Sequence, residues 1–172
     1  MKKVTVASAI LAISMFYGSA QAGNSLLKET DTETLALKIV GEVSEGGYNL
    51  ISVAEIKSML AAKEDFVLID AHPKVEYDLA YIDGAINIGF KSKRVGKWGL
   101  DAEDGHTQAD YKAALGSDLN KKIVIYCGFV KCGRSHNAAM WARNLGYKNV
   151  YRAPGGISAW MDSGFPYKTK IK

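Results

Sequence analysis

The sequence predicts an α/β domain with a mostly parallel central sheet flanked by helices. Two continuous apolar tetrads, residues 66–69 and 123–126, have the pattern of strands covered on both faces. Amphipathic stretches separate the apolar runs, so strands alternate with helices, the order that produces parallel sheets with right-handed crossovers. Glycines follow the helical stretches, most plainly at Gly146.

The first 22 residues have the layout of a secretory signal peptide. Lys2 and Lys3 form a basic head, an apolar run follows to about Tyr17, and Ala20-Gln21-Ala22 fits an A-x-A cleavage site. The run is short for a membrane span, and no other long apolar stretch follows. The reading is a periplasmic protein exported by this leader, with no stable membrane span after cleavage; an uncleaved anchor or a buried N-terminal helix is the alternative. Cleavage after Ala22 leaves residues 23–172, the size of one ordinary domain. Loss of the two lysines takes the formal net charge from +4 to +2. So small a charge gives no argument for a nucleic-acid partner, and none is expected.

Residues 23–31 are mostly polar and read as loosely held. Residues 32–43 place Leu35, Leu37, Ile39, Val40 and Val43 at mostly helical spacing, and Gly46-Gly47 ends that helix. Residues 23–47 thus form a partly helical extension ahead of a domain over 48–172. Within the domain, residues 48–52 read as a first strand, and Ser52 caps a helix over 53–62. Strands follow at 66–69 and 85–88, then a helix at 107–115 and the strongest strand at 123–126. A helix over 134–145 stops at Gly146. Residues 150–151 form a short strand and 157–161 a last helix.

The segment from Ile123 to Ser135 is a buried strand, a loop and the start of a helix. Ligands of open parallel sheets bind outside the carboxyl ends of the strands, where Cys127 stands. Loop amides and a helix N-terminus make a cradle for negative charge, and the same field stabilises a thiolate. Lys131 and Arg134 add two cations. Cys127 is therefore the candidate catalytic nucleophile. Gly128, Phe129, Val130, Lys131, Cys132, Gly133 and Arg134 are the candidate substrate-binding loop. Free cysteines are often mere core residues, but the strand end, the glycines and the cations favour function here. The chain has two cysteines, both in this loop. A bridge between them would constrain few residues, so reactivity explains the pair better than stapling.

These residues resemble the rhodanese family from about Leu50 to Pro166. Tyr126-Cys127, Arg134-Ser135 and Ala138-Ala139 match the family's active-site run. Gly146-Tyr147, Val150-Tyr151, Gly155-Gly156-Ile157-Ser158-Ala159-Trp160 and Gly164-Phe165-Pro166 match its closing motif. Leu68-Ile69-Asp70, Glu76-Tyr77 and the run from Ile82 to Ile88 are similar to its first signature. The resemblance implies a rhodanese-like three-layer fold and a sulfurtransferase with no cofactor. Cys127 would take sulfane sulfur from thiosulfate, polysulfide or a similar small anionic donor as a persulfide. It would pass that sulfur to a thiol or cyanide-like acceptor, or to a periplasmic redox or sulfur-carrier protein. Loop amides and Arg134 would hold the donor's anionic end.

The chain departs from that pattern in several places. Arg134 stands seven positions after Cys127 rather than five, which should widen or reshape the cradle. Larger loops in rhodanese-like folds go with phosphatases and arsenate reductases, so a Cys-loop oxyanion enzyme is a second reading. A non-catalytic sulfur or redox partner-binding module is a third. Cys132 is either a resolving thiol that attacks a loaded or oxidised Cys127, or a bystander lining the enlarged loop. Reading Cys127, Cys132 and His136 as metal ligands lacks a fourth ligand, so no metal is expected. His72 stands where the first signature has Arg. His72 and His106 are otherwise isolated, and His136 reads as a polar residue on the first helical turn. The basic stretch 91–98, with Lys93, Arg94 and Lys97, reads as a solvated loop that would attract anionic donors only beside the Cys127 loop. Gly155-Gly156 reads as a turn, and Asp70 as a structural residue at a strand end.

Overall fold

The computed structural model describes residues 18–171 of the 172, with side chains from Glu29 onward. The leader reading falls mostly on residues 1–17, which lie outside the described residues. The chain divides into two compact units, residues 1–37 and 38–172. The described part of the first is helical from Gly18; the second holds the whole sheet.

Helix α1 spans Gly18–Gly46, which corrects the shorter helix expected at 32–43 and the loose segment before it. Residues 25–40 contain neither glycine nor proline, and half of them are Leu, Glu or Lys, all good helix formers. From Glu29 to Val40 the side chains are mostly exposed, so the polarity belongs to a solvated helix face rather than to loose chain. Gly47, with φ +60°, ends the helix.

The remaining elements are β1 (Asn49–Leu50), α2 (Val53–Ala61), β2 (Val67–Asp70), α3 (Lys74–Leu79), β3 (Ile86–Asn87), α4 (Trp98–Asp101), α5 (Gln108–Leu115), β4 (Ile123–Tyr126), α6 (Arg134–Asn144), β5 (Val150–Ala153) and α7 (Gly156–Asp162). Ser52 caps α2 through a reciprocal box with Glu55, and Thr107 caps α5 likewise with Asp110. The sequence reading lacked α3 and α4, which are too short to show periodicity. The strands run in the order β1-β5-β4-β2-β3, every pair parallel.

Alternation along β4 builds two cores. Ile123, Ile125 and Cys127 join a cluster with Tyr111 and Leu115 of α5, Ala138, Ala139 and Ala142 of α6, and Val43 at the end of α1. Val124 and Tyr126 join Ile56 and Met59 of α2, Tyr77 of α3, and Ile157 and Trp160 of α7. The result is a helix–sheet–helix sandwich of three layers. The register pairs Asp70 with Tyr126 and Tyr126 with Ala153. The residues just after β2, β4 and β5 therefore share one edge of the sheet, which gathers His72, Cys127 and Gly156. Among the described residues no helix is long and apolar enough to cross a membrane.

Candidate active site

Cys127 is fully buried where β4 runs out toward α6. Its Sγ lies 3.2 Å from Ser135 Oγ and 3.7 Å from the Cys132 carbonyl oxygen. Gly133 caps α6 without a side chain, so the first-turn amides stay free to face the sulfurs. The Ser135 amide faces Cys127 in this way.

The two extra residues reshape the cradle rather than widen it. A turn, closed by Cys132 N–H donating to Phe129 O at 2.9 Å, folds Cys132 inward until it is only 4% exposed. The amides of Gly128 and Arg134 converge on the Cys132 sulfur, and Arg134 Nη1 lies 3.9 Å from it. The Cys127 side chain also lies within hydrogen-bonding reach of the Cys132 sulfur. That hydrogen bond, with the amides and the guanidinium outweighing burial, lowers the Cys132 pKa to about 5. Burial, then the neighbouring Cys132, pushes the Cys127 thiol well above its ordinary value. Of the two sulfurs, Cys132 is the one whose surroundings favour the thiolate, and Cys127 the one whose surroundings favour the thiol.

Other loop residues are placed differently. Phe129 is 54% exposed at the loop tip, and the Lys131 side chain faces solvent. The Lys131 carbonyl accepts from Lys38 Nζ at 2.9 Å. Arg134 also pairs with Glu76 at 3.2 Å, so its charge is divided between that carboxylate and the Cys132 sulfur.

His72 is not isolated. Its Nδ1 lies 2.8 Å from Asp70 Oδ1, and its ring packs so close that a Cβ on Gly128 would sit 3.1 Å from Nε2. Burial pushes its pKa down, but the bond to Asp70 and the charges of Asp70, Glu76 and Cys132 lift it above the ordinary value. Asp70 is the structural residue expected, also accepting the His72 amide at 2.9 Å.

The basic stretch is docked rather than simply solvated. The Ser92 carbonyl lies so near Gly133 that a Cβ there would collide with it. Asn137 Nδ2 donates to Lys91 O at 3.1 Å. The buried Asp101 carboxylate accepts from the amides of Val95 and Gly96 and from Trp141 Nε1. The stretch therefore lies beside the Cys127 loop, with Lys93 exposed.

The sequence reading missed Arg152, a wholly buried guanidinium behind the loop. It donates to Ser135 Oγ at 2.9 Å, Cys132 O at 3.1 Å, Tyr48 Oη at 3.2 Å and Glu42 Oε2 at 2.5 Å. Tyr48 Oη also meets His136 Nδ1 at 2.8 Å. The available signal was a charged residue inside the last strand, where the reading had stopped at Tyr151. On the other side, Ile157 N–H and Ser158 N–H donate to the carbonyls of Cys127 and Gly128 at 2.8 and 2.9 Å. Gly156, with φ +58°, permits that approach, since a Cβ there would strike Cys127 O. Among the described residues no group of three or more His, Cys, Asp or Glu could hold a metal ion.

The family model for the rhodanese-like domain matches residues 52–163. The tRNA uridine(34) hydroxylase of Buchnera aphidicola subsp. Baizongia pistaciae is 31% identical over 112 residues, covering 64% of this chain and 31% of that protein. The chain thus spans under a third of that relative's length. Among solved structures, thiosulfate sulfurtransferase from Pseudomonas aeruginosa superposes with a TM-score of 0.57 at 20% identity, over 77% of this chain and 23% of that one. The polysulfide-sulfur transferase homodimer from Wolinella succinogenes superposes with a TM-score of 0.55 at 19% identity, over 83% and 93%. At these identities the two structures speak to the fold.

Proposed function

The chain belongs to the rhodanese-like domain family, and on that premise we propose that it is a sulfurtransferase carrying sulfane sulfur on Cys127. The observation that carries this reading is a buried Cys127 at the carboxyl edge of the sheet, its Sγ 3.2 Å from Ser135 Oγ, with Cys132 folded inward beside it by the loop turn. Cys132 lies at hand to receive the Cys127 proton as the Cys127 sulfur attacks the outer sulfur of thiosulfate or a polysulfide. The donor's S–S bond breaks, sulfite or a shortened polysulfide leaves with the electron pair, and the sulfur stays as a persulfide. A thiol or cyanide-like acceptor, or a sulfur-carrier protein, then removes it.

The donors that would surround a tetrahedral oxyanion are turned onto the Cys132 sulfur instead, which supports a single-atom cargo over a phosphate or arsenate. The basic residues Lys93 and Lys131, exposed on neighbouring loops, suit the approach of an anionic donor. The proposed setting is the periplasm, reached through the leader at residues 1–22. Mass spectrometry after anaerobic incubation with thiosulfate or polysulfide tests the reading. One added sulfur atom at Cys127 is expected in Cys132→Ser, which lacks the second thiol, and none in Cys127→Ser; no adduct on Cys132→Ser with either donor overturns it.

A further inference from the structure

Cys132 is placed for more than proton removal. Its sulfur sits among the amides of Gly128 and Arg134 and beside the Arg134 guanidinium, and it faces Cys127 from within the loop. In a loop built only to pass sulfur outward, that space would receive the outer sulfur of the persulfide. Here a second nucleophile is already there.

We infer that the protein also reduces its own persulfide, releasing hydrosulfide and closing a Cys127–Cys132 disulfide. This rests on the sulfur-loading reading above. After loading, Cys132 holds the proton it took from Cys127, and the persulfide carries the negative charge. The Cys132 sulfur attacks Cys127 Sγ, the bond from Cys127 Sγ to the outer sulfur breaks, and the outer sulfur takes that bond's electrons. The Cys132 proton passes to it, and it leaves as HS⁻. For thiosulfate the whole sequence converts one donor and one thiol–thiolate pair into sulfite, hydrosulfide and a disulfide. Atoms and charge balance without an external acid or base. Two electrons pass from the cysteine pair to the sulfane sulfur, and a dithiol reductant must restore the pair before the next cycle.

The surroundings suit this use. A bridge closing so short a loop gains little chain entropy, so it is a poor staple and is readily reopened by a dithiol. Arg152 Nη2 holds the Cys132 carbonyl at 3.1 Å and Lys38 Nζ the Lys131 carbonyl at 2.9 Å, which keeps the second thiol turned inward. His72 lies beside Gly128, and the carboxylates of Asp70 and Glu76 favour its protonated form there.

The test is a single turnover of the reduced full chain with thiosulfate, without added thiol and without oxygen. About one sulfite and one hydrosulfide per chain are expected, with the protein two hydrogens lighter and both cysteines closed to alkylation. Cys132→Ser should still release sulfite, more slowly, but keep its persulfide and lose at least tenfold in hydrosulfide. A wild-type chain that keeps its persulfide while Cys132 remains alkylatable overturns the inference and leaves sulfur loading intact. A persulfide on Cys132 in Cys127→Ser overturns the assignment of roles. Absence of both sulfite and adduct in every variant removes the sulfur-loading reading itself.

Discussion

Arg152 Nε donates to Ser135 Oγ at 2.9 Å, and the same oxygen lies 3.2 Å from Cys127 Sγ. A guanidinium has no acceptor, so the Ser135 oxygen must accept from it, leaving the hydroxyl proton available to the sulfur. Ser135 therefore supports the thiolate form of Cys127 from inside the core. Replacing Ser135 with Ala should slow persulfide formation about 10- to 100-fold, the effect of losing one hydrogen bond to a charged group. Ser135→Thr, which keeps the hydroxyl, should recover most of the rate. The pH profile separates this from a packing defect: in Ser135→Ala the rate should rise only at higher pH than in the wild type.

Arg152 is wholly buried, and its charge is answered by Glu42, whose side chain is 12% exposed near the end of α1. Removing one member of such a pair leaves an uncompensated charge, at a cost of about 3–5 kcal/mol. Arg152→Met should destabilise the fold by that order. Glu42→Gln should cost less, since its amide oxygen can still accept from the guanidinium. Denaturant unfolding of the three proteins checks the order. It also tests whether residues 38–46, which lie before the family match at 52–163, are needed by the site.

Gly156 allows α7 to begin against the Cys127 and Gly128 carbonyls. Gly156→Ala adds a Cβ into Cys127 O at a φ of +58°, so the two strains act together. The backbone strain alone is on the order of 1–3 kcal/mol, and relief requires the Cys127 loop to move. Lower thermal stability and slower sulfur loading should appear together in this variant. At Gly84, also of positive φ but with open space around it, Ala should lower stability without slowing loading.

Strands β2 and β4 were legible because each is a continuous apolar run whose alternate residues feed both cores. Ser52 showed its helix through capping chemistry written in four consecutive residues. The candidate loop was legible for the same local reason: strand, cysteines, glycines and cations are adjacent in the chain. What escaped depends on contacts distant in sequence. Glu42 and Arg152 are 110 positions apart, and nothing local ties either to Cys127. His72 read as isolated because the register that brings β2 beside β4 cannot be seen from its neighbours. The direction of the Cys132 side chain follows from one turn hydrogen bond, which spacing alone did not reveal.

The charge on Cys132 has a stability signature whose sign can be worked out. Its folded pKa, about 5, lies below that of an unfolded thiol, about 8.5. An acid with a depressed folded pKa stabilises the native state above its unfolded pKa and loses that contribution as pH falls through its folded one. The stability difference between wild type and Cys132→Ser should therefore grow as pH rises from about 5 to about 8. Cys127 is shifted the other way, so its opposing contribution enters only above the ordinary thiol range and leaves this window clear. Chemical denaturation of the reduced proteins at several pH values measures the difference, and thiolate ultraviolet absorbance in the native state should rise near the lower limit. A stability difference that stays flat across the window would place the charge elsewhere than Cys132.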